Sequence, residues 1–214
     1  MLWMALAAQL SIPVPIGTRL PDVRAIFSAD DFPAYLQMQG VSRVVHTRTT
    51  VRPDGGVDGC AVEGSSGDPK LDAYTCGLIV KRAKFMPAKW IDGTAAYGVI
   101  RVPVSWRIAN SPPSETEMLK AAEPDLELTV NQLPKGAGSI AVLILEIGAD
   151  AAGHPITCAE EPVAWSASKR HFPELLGLAC QRVMAEYNAV PPLDPSGRAV
   201  RSVQTVSVRF TKNP

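Results

Sequence analysis

The chain of 214 residues is 46% hydrophobic and 20% charged, enough apolar material for one large domain or two small ones. Its 21 basic and 21 acidic side chains cancel, so it lacks the positive field that holds a phosphate backbone by counterion release, and nucleic acid is not an expected partner. No stretch reaches the roughly 20 apolar residues of a bilayer span, and the best, Gly138 to Ile147, stops well short.

In chain order, Met1 to Ala7 is apolar and closes on Ala5-x-Ala7, the small-residue spacing of a signal-peptidase site, without a basic leader. It reads as the end of a signal peptide whose start lies upstream; the other reading is an apolar tail of the mature chain. Three prolines hold Gln9 to Pro21 out of helix as an extended leader. Asp30-Asp31-Phe32-Pro33 opens a short helix, with an Asp as cap and proline in the first turn, and Gly40 ends it. Val41 to Val51 alternates as a strand, with Val45, Thr47, Thr49 and Val51 on one face and His46, Arg48 and Thr50 on the other. Pro53-Asp54-Gly55-Gly56 supplies a hairpin turn, and Val57 to Glu63 returns. A helix follows from about Leu71 to Phe85, with Leu71, Tyr74, Leu78, Val80 and Phe85 as its expected buried stripe. After Pro87 and the Asp92-Gly93 turn, Tyr97 to Ile108 closes the unit as a strand.

The later elements recur. An offset of 104 carries Leu71 to Leu175, Cys76 to Cys180, Pro87 to Pro191, Gly93 to Gly197, Val102 to Val206 and Val104 to Val208 without a gap. Upstream, an offset of 98 carries Gly55 to Gly153 and Cys60 to Cys158, so the second copy has six more residues between its first cysteine and its helix. That longer connection, Ala159 to Phe172, holds Trp165 and His171. The second copy then reads as a strand at Ile140 to Ile147, a return at Pro155 to Glu160, a helix at Glu174 to Tyr187 and a closing strand at Ala199 to Phe210, with Glu115 to Ala122 as its opening helix. The border falls near Asn110-Ser111-Pro112-Pro113-Ser114.

Phe32-Pro33-Ala34, Thr50 to Gly55, Ser65-Ser66-Gly67, Leu71-Asp72, Arg82 to Ala88, Gly93 and Val104-Ser105-Trp106 together resemble the TonB C-terminal domain family, the periplasmic end of energy transducers. The set covers about Asp30 to Ile108. The second copy keeps Gly153, the helix, Pro191, Gly197 and the last strand but lacks the Ser-Ser-Gly and Phe-x-Pro-Ala signatures. The resemblance implies an α+β chain of two tandem domains, each a three-stranded antiparallel sheet packed on two helices. Residues 1–29 would be the signal remnant and leader, 30–110 the first domain and 111–214 the divergent second. It further implies a periplasmic, exported protein that is not an enzyme and carries no cofactor or metal. The implied partner is an outer-membrane TonB-dependent receptor or another envelope protein. An extended segment of that partner would add to the last strand around Val99, Ile100, Arg101, Val102 and Val104, with main-chain bonds giving affinity and side chains selectivity. The alternative is a structural adaptor whose two domains pair their edge strands with each other; a homodimer is left open. A full transducer has a transmembrane anchor and a Pro-rich spacer; an anchor here would need a start upstream of Met1.

The four cysteines fall one pair per copy, Cys60 with Cys76 and Cys158 with Cys180. In an exported chain an even count reads as disulfides, ahead of free buried thiols and of metal or redox chemistry, since no C-x-x-C pair exists. His46, His154 and His171 lack any nucleophile signature and are expected on the surface. Lys81-Arg82-Lys84 reads as a solvated helix face, with a basic docking patch as its alternative. Trp90 and Trp106 are weighed as binding aromatics against core packing.

Overall fold

The computed structural model describes residues 15, 17–19, 25–108, 123–160 and 172–213. The signal remnant, the border loop, the opening helix expected at 115–122, Trp165 and His171 fall outside these residues. A short 3-10 turn, Ala29–Asp31, precedes helix α1 (Ala34–Gln39). Strands β1 (Arg43–Val51) and β2 (Val57–Gly64) form the expected hairpin, followed by helix α2 (Pro69–Arg82). A two-residue strand β3 (Ala88–Lys89) leads into the long closing strand β4 (Ala95–Trp106). Beyond it come β5 (Leu126–Val130), β6 (Ile140–Ala149), β7 (Pro155–Glu160), helix α3 (Pro173–Glu186) and β8 (Ser202–Lys212).

Local chemistry explains the boundaries. Asp68 caps α2 by accepting the N–H of Lys70 at 2.9 Å, and Pro69 sits where its missing N–H costs nothing. The Tyr35 hydroxyl donates to the second Asp68 oxygen at 2.6 Å, which ties α1 to the start of α2 and pushes the phenol up to about 12. The helix stops at Arg82, three residues before the expected end. Ala83 turns extended, and the N–H of Phe85 donates to Gly55 O in the hairpin turn instead of to the helix. Gly55 has φ 79°, and a side chain there would run into the Phe85 carbonyl, so this turn requires glycine. The stripe that α2 buries also differs from expectation. Leu71, Thr75, Leu78 and Ile79 face the sheet, while Tyr74 and Val80 are exposed.

The strands make one eight-stranded sheet, in place of two separate three-stranded ones. Its order is β2-β1-β4-β8-β6-β7, with β3 added to β4 and β5 added to β8. All neighbours are antiparallel except β4 with β8 and β5 with β8, which are parallel. Two cores result. Val45, Val51, Ile100, Val102, Val104 and Trp106 pack on α2, and Leu143, Leu145, Ile147, Val206, Val208 and Phe210 pack on α3. The register sets their sides. Tyr97 pairs with Ser202 and Val99 with Gln204, so odd residues of β4 share a face with even residues of β8. The first core uses the even residues of β4 and the second the even residues of β8, so α2 and α3 lie on opposite faces of the sheet.

The offsets seen in the sequence reappear as hydrogen bonds. An offset of 104 carries α2 onto α3 end to end. The bond from Phe85 N–H to Gly55 O corresponds to that from Ala189 N–H to Gly153 O, and the turn bonds at Arg52–Gly56 and Trp90–Thr94 recur at Asp150–His154 and Asp194–Arg198. The structure joins Cys60 to Cys76 and Cys158 to Cys180, each disulfide tying the return strand of a hairpin to the next helix.

Candidate functional site

The residues expected to bind a partner lie on β4, and the structure puts β4 inside the sheet. β1 pairs with it from Gly98 to Trp106 on one side, and β3 with Ala95 and Ala96. On the other side β8 pairs with Tyr97, Gly98 and Val99, so Val99 stands between Thr50 and Gln204. Ile100, Val102 and Val104 point into the first core. A partner strand at Val99 would first have to displace β8.

Past Val99 the two strands part. The Arg101 N–H donates to the Thr205 hydroxyl at 3.1 Å rather than to a β8 carbonyl. Pro103, two residues on, turns its nitrogen the same way, off the β1 side, so its missing N–H removes no bond to β1. Asp125 fills the fork. Its carboxylate accepts the Ser207 N–H at 2.7 Å, while its own N–H donates to Ser207 O at 2.9 Å. Arg101 meets both Asp125 oxygens at 2.8 and 2.9 Å, and Arg48 reaches Oδ1 at 2.8 Å. Glu63 completes the cluster through Arg48 Nε and through Arg101 Nε at 2.8 Å, the latter close enough for an ion pair but not aligned as a hydrogen bond. Two guanidiniums and two carboxylates thus alternate at the seam between the halves. Burial opposes the Arg48 charge, but the hydrogen bond it donates to Glu63 and the Glu63 and Asp125 charges outweigh it and raise its pKa. Tyr187, from the end of α3, is held above its ordinary value by burial and then by Asp125.

A second charge pair mirrors this one. Glu146 occupies the position that the offset of 98 assigns to Arg48, on the face of its own half away from its helix. Its carboxylate is 4% exposed and lies 2.5 Å from Arg19 Nη1, and Oε2 accepts the Gly17 N–H at 3.1 Å. Each half therefore carries a charge on its outer face, buried in Glu146 and half-buried in Arg48, with the sign inverted. Each charge is met by the segment that leads into the other half: Arg19 before the first for Glu146, Asp125 before the second for Arg48. Sequence reading took Arg48 only as an outward residue and did not single out Asp125, Glu146 or Arg19. A lone charged residue within the otherwise apolar strand Ile140–Ala149 was the available signal for Glu146.

The remaining candidates are structural. Trp106 lies in the first core, donating its indole N–H to the Thr75 hydroxyl at 3.0 Å among Phe27, Phe32 and Tyr74. Trp90 is buried at the seam beside Val203, with the Arg201 guanidinium 4.7 Å from its ring centre. His154 is exposed in its turn beside Asp150. His46 is not the surface residue expected. It is 9% exposed, its Nε2 has no hydrogen-bond partner, and burial, then Arg101, lower its pKa. Among the described residues no group of three or more His, Cys, Asp or Glu side chains is placed to hold a metal ion.

Residues 28–108 match the family described as Gram-negative bacterial TonB protein C-terminal, which is a non-enzymatic, periplasmic interaction domain of energy transducers. The match spans α1 to β4 and stops short of the second half. No curated protein and no solved structure matches the chain. Among the described residues no helix is long and apolar enough to cross a membrane.

Proposed function

We propose that the chain is an exported, periplasmic TonB-like protein, related to TonB-dependent transport, that acts as a non-catalytic adaptor whose two halves pair through their closing strands. On this reading the second half is a divergent copy of the same domain, which the shared offsets and turn bonds support. The pairing of β4 with β8 carries the proposal, because the chain itself fills the edge at Tyr97, Gly98 and Val99. Two disulfides suit an oxidising envelope compartment.

One observation favours a second reading, in which an extended segment of an outer-membrane receptor or another envelope protein adds to β4 around Val99 to Val104. The parallel ladder between the halves is only three residue pairs long, and beyond it β4 is met by side chains from Thr205 and Asp125. Amide exchange and shifts in the labelled chain, with and without an extended receptor peptide, separate the two. The adaptor reading expects the Val99 and Gln204 amides to stay protected and unshifted. Shifts along Val99 to Val104 together with lost protection at Ser202 to Gln204 would replace it with strand addition.

A further inference from the structure

The two halves serve as controls for each other. α2 and α3 occupy equivalent places and bury equivalent residues, Leu71 with Leu175 and Ile79 with Val183, so their outward positions can be compared one by one. α2 and the segment after it carry Lys70, Lys81, Arg82, Lys84 and Lys89; the equivalents are Glu174, Ala185, Glu186, Asn188 and Leu193. Since α3 folds the same way without them, the fold does not demand these cations. Arg82 is engaged by Asp31 at 2.6 Å. The four lysines are exposed and have no carboxylate within 4 Å among the described residues; Asp68 and Asp54 are nearby charges for Lys70 and Lys84.

Several choices on this face oppose local stability. Lys70 stands in the first turn, where the helix dipole repels a cation, and α3 has the favoured Glu174 there. Val80 is 51% and Met86 54% exposed. Gly77 sits in the middle of the helix facing solvent, where an added Cβ would meet nothing within 4 Å. Solvent-facing glycine in a helix costs roughly 1 kcal/mol relative to alanine. The other half also exposes Met184 and Val190 at the positions of Val80 and Met86 and has its own outward Gly177, so what sets the α2 face apart is its lysines.

We infer that the outward face of α2, formed by Lys70, Gly77, Val80 and Lys81 and extended by Lys84 just past its end, is a docking surface for an acidic, leucine-bearing segment of a protein partner. The lysines match carboxylates, and Val80 with Met86 offers an apolar centre. Gly77 lets a partner backbone come close, an advantage against a solid surface and none against fluid lipid, and the one aromatic of α2, the exposed Tyr74, is held to Asp31 at 3.3 Å and packed against Trp106, so it is not free to anchor in a bilayer. The surface is independent of the β4 edge, so it holds under either reading of the closing strands.

The test titrates an acetylated peptide of Glu-Leu-Ala-Glu repeats into the full chain labelled for NMR. Shifts centred on Lys70, Gly77, Val80 and Lys81 are expected, with affinity falling as salt rises. Reversing charge in K70E/K81E should weaken binding by about tenfold or more. Gly77→Ala is the sharper variant: it should raise Tm through helix propensity while weakening peptide binding by about tenfold. Absence of shifts at low salt would overturn the inference. So would a Gly77→Ala chain that gains stability and binds unchanged, which is the behaviour of a merely solvated face. Silence toward the peptide with lysine-dependent binding to phosphatidylglycerol vesicles would overturn it in favour of a lipid surface.

Discussion

A carboxylate buried in a sheet is tolerated only while a cation stays beside it, and for Glu146 that cation is Arg19, 127 residues earlier in the chain. Removing one member of a buried pair leaves the other uncompensated and costs on the order of 3–5 kcal/mol, more than the pair itself contributes. Arg19→Ala should therefore destabilise by about 3 kcal/mol in urea unfolding. The double variant with Glu146→Ala should recover part of the loss; a second loss of equal size on top of the first would mean the two do not act as a pair. His46 gives a separate pH effect. Its folded pKa is lowered from 6.5 by burial and then by Arg101, so between the folded value and 6.5 the unfolded chain binds more protons. Stability from His46 is full above about 6.5, falls as pH drops through that value and levels off below the folded pKa. Urea midpoints measured across this window should slope for the native chain and flatten for His46→Gln; equal slopes would remove His46 as the cause. Asp31 acts lower. Arg82 and Ser28 hold its carboxyl below 3.8, so its share is lost only as pH falls beneath that value.

Elements repeated by the sequence were the most legible. The hairpin, the helix after it and the closing strand were readable in both copies because turn glycines, a capping Asp and strand alternation act over a few residues. The cysteine pairs were legible for a related reason, since each recurs with its own element. Removing Cys60–Cys76 as a double alanine variant should cost on the order of 3 kcal/mol, for a loop of 16 residues, and lower the denaturant midpoint. An unchanged midpoint would mean the β2–α2 contact suffices alone. What stayed hidden is what depends on distant chain. Val80 sits at a position that periodicity allowed for the core, yet the sheet takes Ile79. β5 was not foreseen, because its only reason to be a strand is the free side of β8. His46 alternates outward correctly, but its solvent is displaced by neighbours that no local pattern announces.

At the scale of the whole molecule, the sequence led to an expectation of two tandem units with a three-stranded sheet each, whereas the strands of both repeats join in one eight-stranded sheet. The joint is carried by three residue pairs of β4 and β8, by Asp125 in the fork and by Arg19 on the far face. Each half has its own core, but each also lends the other a neutralising charge, so thermal unfolding should be a single transition by calorimetry, with van't Hoff and calorimetric enthalpies equal. Two resolved transitions would show that the seam contributes little. The direction of the β4–β8 pairing also gives the joint a mechanical grain. The strands run the same way, so handles at Thr94 and Lys212, near opposite ends of the seam, load its few bonds in shear, and all must break together. Handles at Thr94 and Arg201, at the same end, open them one after another like a zipper. In single-molecule pulling the first geometry should rupture at higher force. A protein joined in this way resists tension along its strands and yields readily to tension applied at one end of its seam.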